Sequence, residues 1–131
     1  MSIGQSATPL GKVRGLGAAG HGGGHWIEER FTSVALVLLS LWLIFSLIML
    51  PDLAQRTLAE WLSGAAGAVP MALLVITAFK HGLDGMKVVV DDYVHDEGRR
   101  FATNLVLLFL AVGGGSLALF ALARIAFGAT A

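Results

Sequence analysis

No cysteine occurs among the 131 residues. Disulfides, thiolate zinc sites, iron–sulfur ligation and a thiol nucleophile are therefore excluded, and any redox centre held by this chain would have to use His or Met. Charge is scarce as well: Asp, Glu, Lys and Arg make up 14% of the chain. Soluble domains carry roughly a quarter, so an ordinary water-soluble enzyme is not the expected class. Nine Lys and Arg offset nine Asp and Glu, leaving no formal net charge and no basic field for a phosphate backbone. Nucleic acid is not an expected partner.

What is present is apolar. Hydrophobic residues make up 56% of the chain, the mean hydropathy is +0.76, and the length fits one small domain. The segment from Phe31 to Leu50 has no ionisable side chain, and at 1.5 Å per residue it reaches about 30 Å, enough to cross a bilayer core. Ser and Thr within it can bond helix carbonyls or neighbouring helices. It is read as a span rather than a secretory signal, because its apolar run exceeds a signal's core and no small-residue cleavage site follows Leu50. Two further spans are expected at about 66–90 and 101–127. The fold class is thus an all-α membrane protein with three transmembrane helices at about 31–50, 66–90 and 101–127. The stretch from Asp52 to Trp61 is too short and mixed to span and reads as a surface helix with Trp61 at the interface. Residues 1–30 read as a glycine-rich cytoplasmic arm, extended or loosely ordered over 1–24, preceding a 31–131 anchor. No internal repeat is visible, which argues against a transporter built from inverted halves.

Lys12, Arg14, Arg30, Arg99 and Arg100 flank one side of these spans, whereas only Arg56 and Arg124 flank the other. The positive-inside rule then puts the N-terminus and the 91–100 loop in the cytoplasm and the C-terminus outside.

The second span carries Lys80, His81, Asp84 and Lys87, ionisable groups that are costly at bilayer depth. Lys80 and Asp84 are four apart and Asp84 and Lys87 three apart, so they can neutralise one another on one face or mark a polar path. His81, Gly85, Val88 and Asp92 fall on one stripe at 100° per residue, and Tyr93 lies about 18 Å along the axis from His81. A neutral imidazole there can ligate a metal, relay a proton or hydrogen-bond a neighbouring helix, and the residues alone leave all three open. His81 is the only histidine within a span, so this chain cannot supply both imidazoles of a bis-histidine haem. Gly82 and Gly85 leave room for a flat macrocycle or a close helix. Asp91, Asp92 and Tyr93 sit where the span meets water. They read either as an interfacial tyrosine with solvated acids or as a phenol offered to the carbonyl of a lipid-soluble ligand, with Asp92 orienting a neighbour. Gly113, Gly114 and Gly115 permit a close helix approach or a bend.

These residues resemble those of a known family. His81, followed by Asp92, Tyr93, Val94 and His95 near the end of the second of three spans, is similar to the D-type hydrophobic anchors of succinate dehydrogenase, respiratory complex II, in their proteobacterial form. The arm from Val13 through Arg14, Gly15 and Leu16 to Gly17, and His25 and Trp26 leading to Arg30, Phe31, Thr32 and Ser33, agree with it. Asp84 and Lys87 depart from the apolar or amide residues expected there.

The resemblance implies half of a heterodimeric anchor bundle in the bacterial inner membrane, with a periplasmic C-terminus. It implies a C-type anchor, an iron–sulfur subunit and a flavoprotein as partners alongside the lipid bilayer. The implied function is non-flavin: part of a succinate:ubiquinone oxidoreductase in the tricarboxylic acid cycle and respiratory chain, with no catalysis by the isolated chain. By position, His81 is implied to be an axial ligand to haem b, the second coming from the partner anchor. Tyr93 is implied to hydrogen-bond a ubiquinone carbonyl with Asp92 supporting the site, and Arg30 and His25 to lie near the haem propionates. Rival expectations are a quinol:fumarate reductase anchor and a non-redox membrane interaction subunit.

Overall fold

The computed structural model describes residues 19–128, apart from the side chains of 19–23 and of His25. Among the described residues four helices follow one another: α1 (Ala19–Met49), α2 (Gln55–Ser63), α3 (Ala65–Tyr93) and α4 (Glu97–Ala126). No strand occurs among the described residues. Two units divide the chain, Met1–Phe31 and Thr32–Ala131. Residues 19–30 of the expected arm are helical, 19–24 among them expected to be loose. Glycine disfavours a helix by about 1 kcal/mol per residue, but Glu28, Glu29 and Arg30 are good formers, and the Arg30 guanidinium lies over the Trp26 ring, 5.1 Å from its centroid and one turn away.

Among the described residues three stretches are long and apolar enough to cross a membrane: Trp26–Met49, Ala65–Tyr93 and Glu97–Ala126. The chain is a multi-pass membrane protein. Helices α3 and α4, of 29 and 30 residues, extend beyond a hydrocarbon core of about 30 Å. Their ends carry the polar residues that sequence alone assigned to the connecting loop.

Between α1 and α3, Asp52 organises the chain. Its carboxylate accepts from the Ala54 amide at 3.0 Å and from the Thr57 hydroxyl at 2.6 Å, meeting orphan donors at the start of α2. The Thr57 hydrogen bond, and after it the Ala54 amide, hold the carboxyl below its ordinary value. On the next turn Arg56 and Glu60 pair at 2.8 Å. The Trp61 ring stacks on Trp42 of α1, with centroids 5.6 Å apart and planes 26° apart.

The turn from α2 to α3 is tight enough to require glycine. A Cβ on Gly67 would lie 3.0 Å from the Trp61 carbonyl carbon and 3.3 Å from Leu62 Cα, with the Trp61 carbonyl oxygen closer still. Further on, the Phe79 ring of α3 lies across Gly114 and Gly115 of α4, where added Cβ atoms would come within 2.9 Å and 3.4 Å of it. The close-approach reading of that glycine run therefore holds, the approaching group being an aromatic ring of the same chain. An open apolar groove of about 360 Å³, lined in part by Phe79, Gly82, Met86 and Leu110, runs beside this contact.

α4 starts at Asp96, whose carboxylate accepts from the Arg99 amide at 2.9 Å, a side-chain N-cap. Among the described residues very little is buried. Val90 and Leu122 are the only buried large apolar side chains among the described residues, while Phe109, Leu117 and Phe120 are 68%, 71% and 63% exposed. An apolar exterior over a small core suits lipid and partner helices, not water.

Candidate functional site

The polar residues of α3 lie at two levels of one helix. At the inner level stands His81, half-buried, with Nδ1 3.0 Å from the Thr32 hydroxyl of α1. Their separation of 49 residues makes this a tertiary contact rather than a helical neighbour pair. Beside it, Asp84 is 9% exposed and its carboxylate takes the Lys80 ammonium as partner. The i,i+4 spacing on which the sequence reading relied is the one that forms. A charge so deep in an apolar helix requires a counter-ion on its own helix or a neighbour.

The His81 donor set fits a haem axial ligand. Nδ1 is engaged with a hydroxyl, which leaves Nε2 as the nitrogen for coordination, the usual arrangement for a metal-bound imidazole with an outer hydrogen-bond partner. Gly85 is one turn further along the same stripe, and Cβ atoms added at Gly82 or Gly85 would meet nothing within 4 Å. A flat macrocycle has space there. Among the described residues no group of three or more His, Cys, Asp or Glu converges as a metal site, so the fit concerns one imidazole and a second ligand from elsewhere.

At the outer level, α3 ends in Asp91, Asp92 and Tyr93. Asp92 lies about 20° around the helix from His81, and Tyr93 about 120°, by the helical angle. Tyr93 is 79% exposed and Asp92 is exposed, so both present polar ends outward rather than into a pocket of this chain. The sequence reading treated Asp91 as a solvated acid. Its side chain is exposed, and its Oδ1 also accepts from Asn104 Nδ2 at 3.4 Å and lies 3.9 Å from Arg100 Nε, both on α4. This clasp holds the end of α3 that carries Asp92 and Tyr93. Asn104 Oδ1 is buried without a partner.

Of the remaining expected residues, Arg30 covers the Trp26 ring. His25 lies on α1, and its side chain is outside the described residues. Sequence reasoning missed Thr32 as a partner of His81, and Asn104 and Arg100 as partners of Asp91. No local spacing signals these contacts, because they depend on how one helix is rotated against another.

Comparisons with known proteins bear on the same stretch. A family model described as "Succinate dehydrogenase/Fumarate reductase transmembrane subunit" matches residues 5–115. The succinate dehydrogenase hydrophobic membrane anchor subunit of Rickettsia bellii (strain RML369-C) is 32% identical over 83 residues, which is 63% of this chain and 66% of that protein. The like-named subunit of Paracoccus denitrificans is 29% identical over 125 residues, 93% of this chain and 94% of its own length. A third, from Rickettsia conorii (strain ATCC VR-613 / Malish 7), is 30% identical over 84 residues, 63% of this chain and 67% of that protein.

Proposed function

The chain belongs to the succinate dehydrogenase/fumarate reductase transmembrane subunit family, and from that membership we propose that it anchors a succinate:ubiquinone oxidoreductase, supplies one haem b ligand and forms part of the quinone site. Succinate rather than fumarate chemistry is favoured because the curated relatives carry the succinate dehydrogenase name. The observation that carries the site reading is a single helix, α3. It holds a hydroxyl-bonded imidazole at depth and an exposed acid–phenol pair at its end.

In this reading His81 would offer Nε2 to haem iron, and a bound haem would supply one-electron redox chemistry. Tyr93 donates its phenolic proton as a hydrogen bond to a ubiquinone carbonyl, polarising it towards reduction. Asp92 orients a cationic partner residue at that site. The Asp91 clasp to Asn104 and Arg100 keeps the helix end in register. Arg30 and His25 serve the haem propionates, the planar guanidinium suiting a carboxylate. Because Tyr93 is open to the outside, the remaining walls of the quinone site come from other subunits: a C-type anchor, an iron–sulfur subunit and, beyond it, a flavoprotein. By charge bias the N-terminus and the 94–96 turn are cytoplasmic, the C-terminus is periplasmic and the membrane is the bacterial inner one.

The test is a dithionite-reduced minus oxidised optical spectrum of the purified complex, wild type against His81→Ala at matched subunit content. A b-type signal that disappears in the variant is expected, whereas an unchanged signal removes His81 as a ligand. For the quinone role, Tyr93→Phe should lower quinone reductase turnover by about 10-fold or more, in the range typical of losing a polarising donor. Succinate oxidation with an artificial acceptor should persist. Wild-type quinone reduction in an assembled Tyr93→Phe complex would overturn the assignment.

A further inference from the structure

Helix α1 meets α3 at a polar contact that the proposed chemistry has not yet used. The Thr32 hydroxyl is 3.0 Å from His81 Nδ1. An imidazole that coordinates through Nε2 must offer a lone pair there, so its proton resides on Nδ1. At 3.0 Å that Nδ1–H donates to Thr32 Oγ1, and the hydroxyl becomes an acceptor to the ligand.

We infer that Thr32 is a positioning residue for the His81 ligand, fixing its tautomer and the rotation of its ring through an Nδ1–H···Oγ1 hydrogen bond. The inference rests on the haem-ligand reading proposed above. Two consequences follow from the geometry. The bond ties ring rotation to α1, so the imidazole plane is set by the packing of α1 on α3 rather than by the His81 side-chain torsion alone. It also increases electron donation by the imidazole, which favours the ferric state and lowers the haem potential. A purely structural contact, with the proton on Nε2 and the Thr32 hydroxyl donating to Nδ1, would orient the ring as well but would leave no lone pair on Nε2 for iron and no effect on a haem potential.

Thr32→Val keeps the side-chain shape and removes the hydroxyl, Thr32→Ser keeps the hydroxyl, and Thr32→Ala provides a smaller second deletion should the valine variant fail to assemble. The measurements are redox titration of the haem and low-temperature electron paramagnetic resonance of the oxidised complex, both normalised to haem content. Thr32→Val and Thr32→Ala should raise the midpoint potential, shift the low-spin g-anisotropy that reports ring orientation, and weaken haem retention by about 10-fold. Thr32→Ser should restore all three. Wild-type potential and g-values in the hydroxyl-free variants, with haem retained, would overturn the role of Thr32 while leaving His81 as the ligand. Wild-type complex without b-type haem, or haem unaffected by His81→Ala, would instead overturn the parent reading and this inference with it.

Discussion

The ion pair of Lys80 and Asp84 carries the largest electrostatic risk at the level of single residues. Asp84 is nearly buried, while the Lys80 side chain is 41% exposed, so removing Lys80 takes the counter-charge from a carboxylate in an apolar setting. A charge without its counter-ion at the middle of a span costs about 2.5–3.5 kcal/mol on insertion scales. Lys80→Leu should therefore reduce the amount of membrane-inserted, assembled protein severalfold. The double variant Lys80→Leu with Asp84→Leu should recover most of it, since replacing a buried pair by apolar side chains is often neutral or stabilising. Quantifying assembled subunit in membranes from the two single variants and the double gives the coupling. If the double variant assembled no better than Lys80→Leu alone, the pair would have a task beyond neutralisation. This pair was legible in the sequence because four-residue spacing on a helix fixes adjacency. The Thr32 contact to His81 was not, because nothing local relates positions 49 residues apart.

Helices fix which of those residues can meet. Spans were legible from long, predominantly apolar runs, since hydrocarbon leaves no other way for a spanning segment to satisfy its backbone than a helix. Their ends were less so: α1 begins at Ala19, α3 runs to Tyr93 and α4 starts at Glu97, because caps and polar helical turns continue hydrogen bonding past the point where hydropathy falls. The short α2 was legible as a surface helix, but its stacking of Trp61 on Trp42 was not. The α2–α3 junction gives a sharp test. Alanine normally gains about 1 kcal/mol over glycine inside a helix, yet at position 67 the added methyl would press on the Trp61 backbone. Overpacking against backbone costs about 1–3 kcal/mol. Gly67→Ala should accordingly lower the thermal midpoint of the detergent-solubilised complex. Gly98→Ala, whose Cβ would be an ordinary 3.5 Å from the Asp96 carboxylate, should leave that midpoint unchanged or raise it. Equal behaviour of the two variants would mean that the junction relaxes freely.

At the scale of the whole chain, the small core and the wide apolar exterior belong together. A bundle that buries so few large side chains of its own depends on lipid and neighbouring helices for its remaining contacts, as the anchor reading requires. The same scale decides orientation, and the absence of cysteine makes it directly measurable, because any introduced thiol is the only one in the chain. His95 and Ser63 are both exposed, the first in the α3–α4 turn and the second at the end of α2. One helix, α3, separates them, so the two positions must lie on opposite sides of the membrane if α3 spans it. Five flanking basic residues against two assign the His95 side to the cytoplasm. In intact spheroplasts a membrane-impermeant maleimide should label Ser63→Cys and spare His95→Cys, and permeabilisation should expose both. The reverse pattern would invert the chain and carry Tyr93 to the periplasmic face, away from any cytoplasmic iron–sulfur partner. Labelling of both before permeabilisation would deny that α3 crosses the bilayer, and the depth assigned to His81 would go with it.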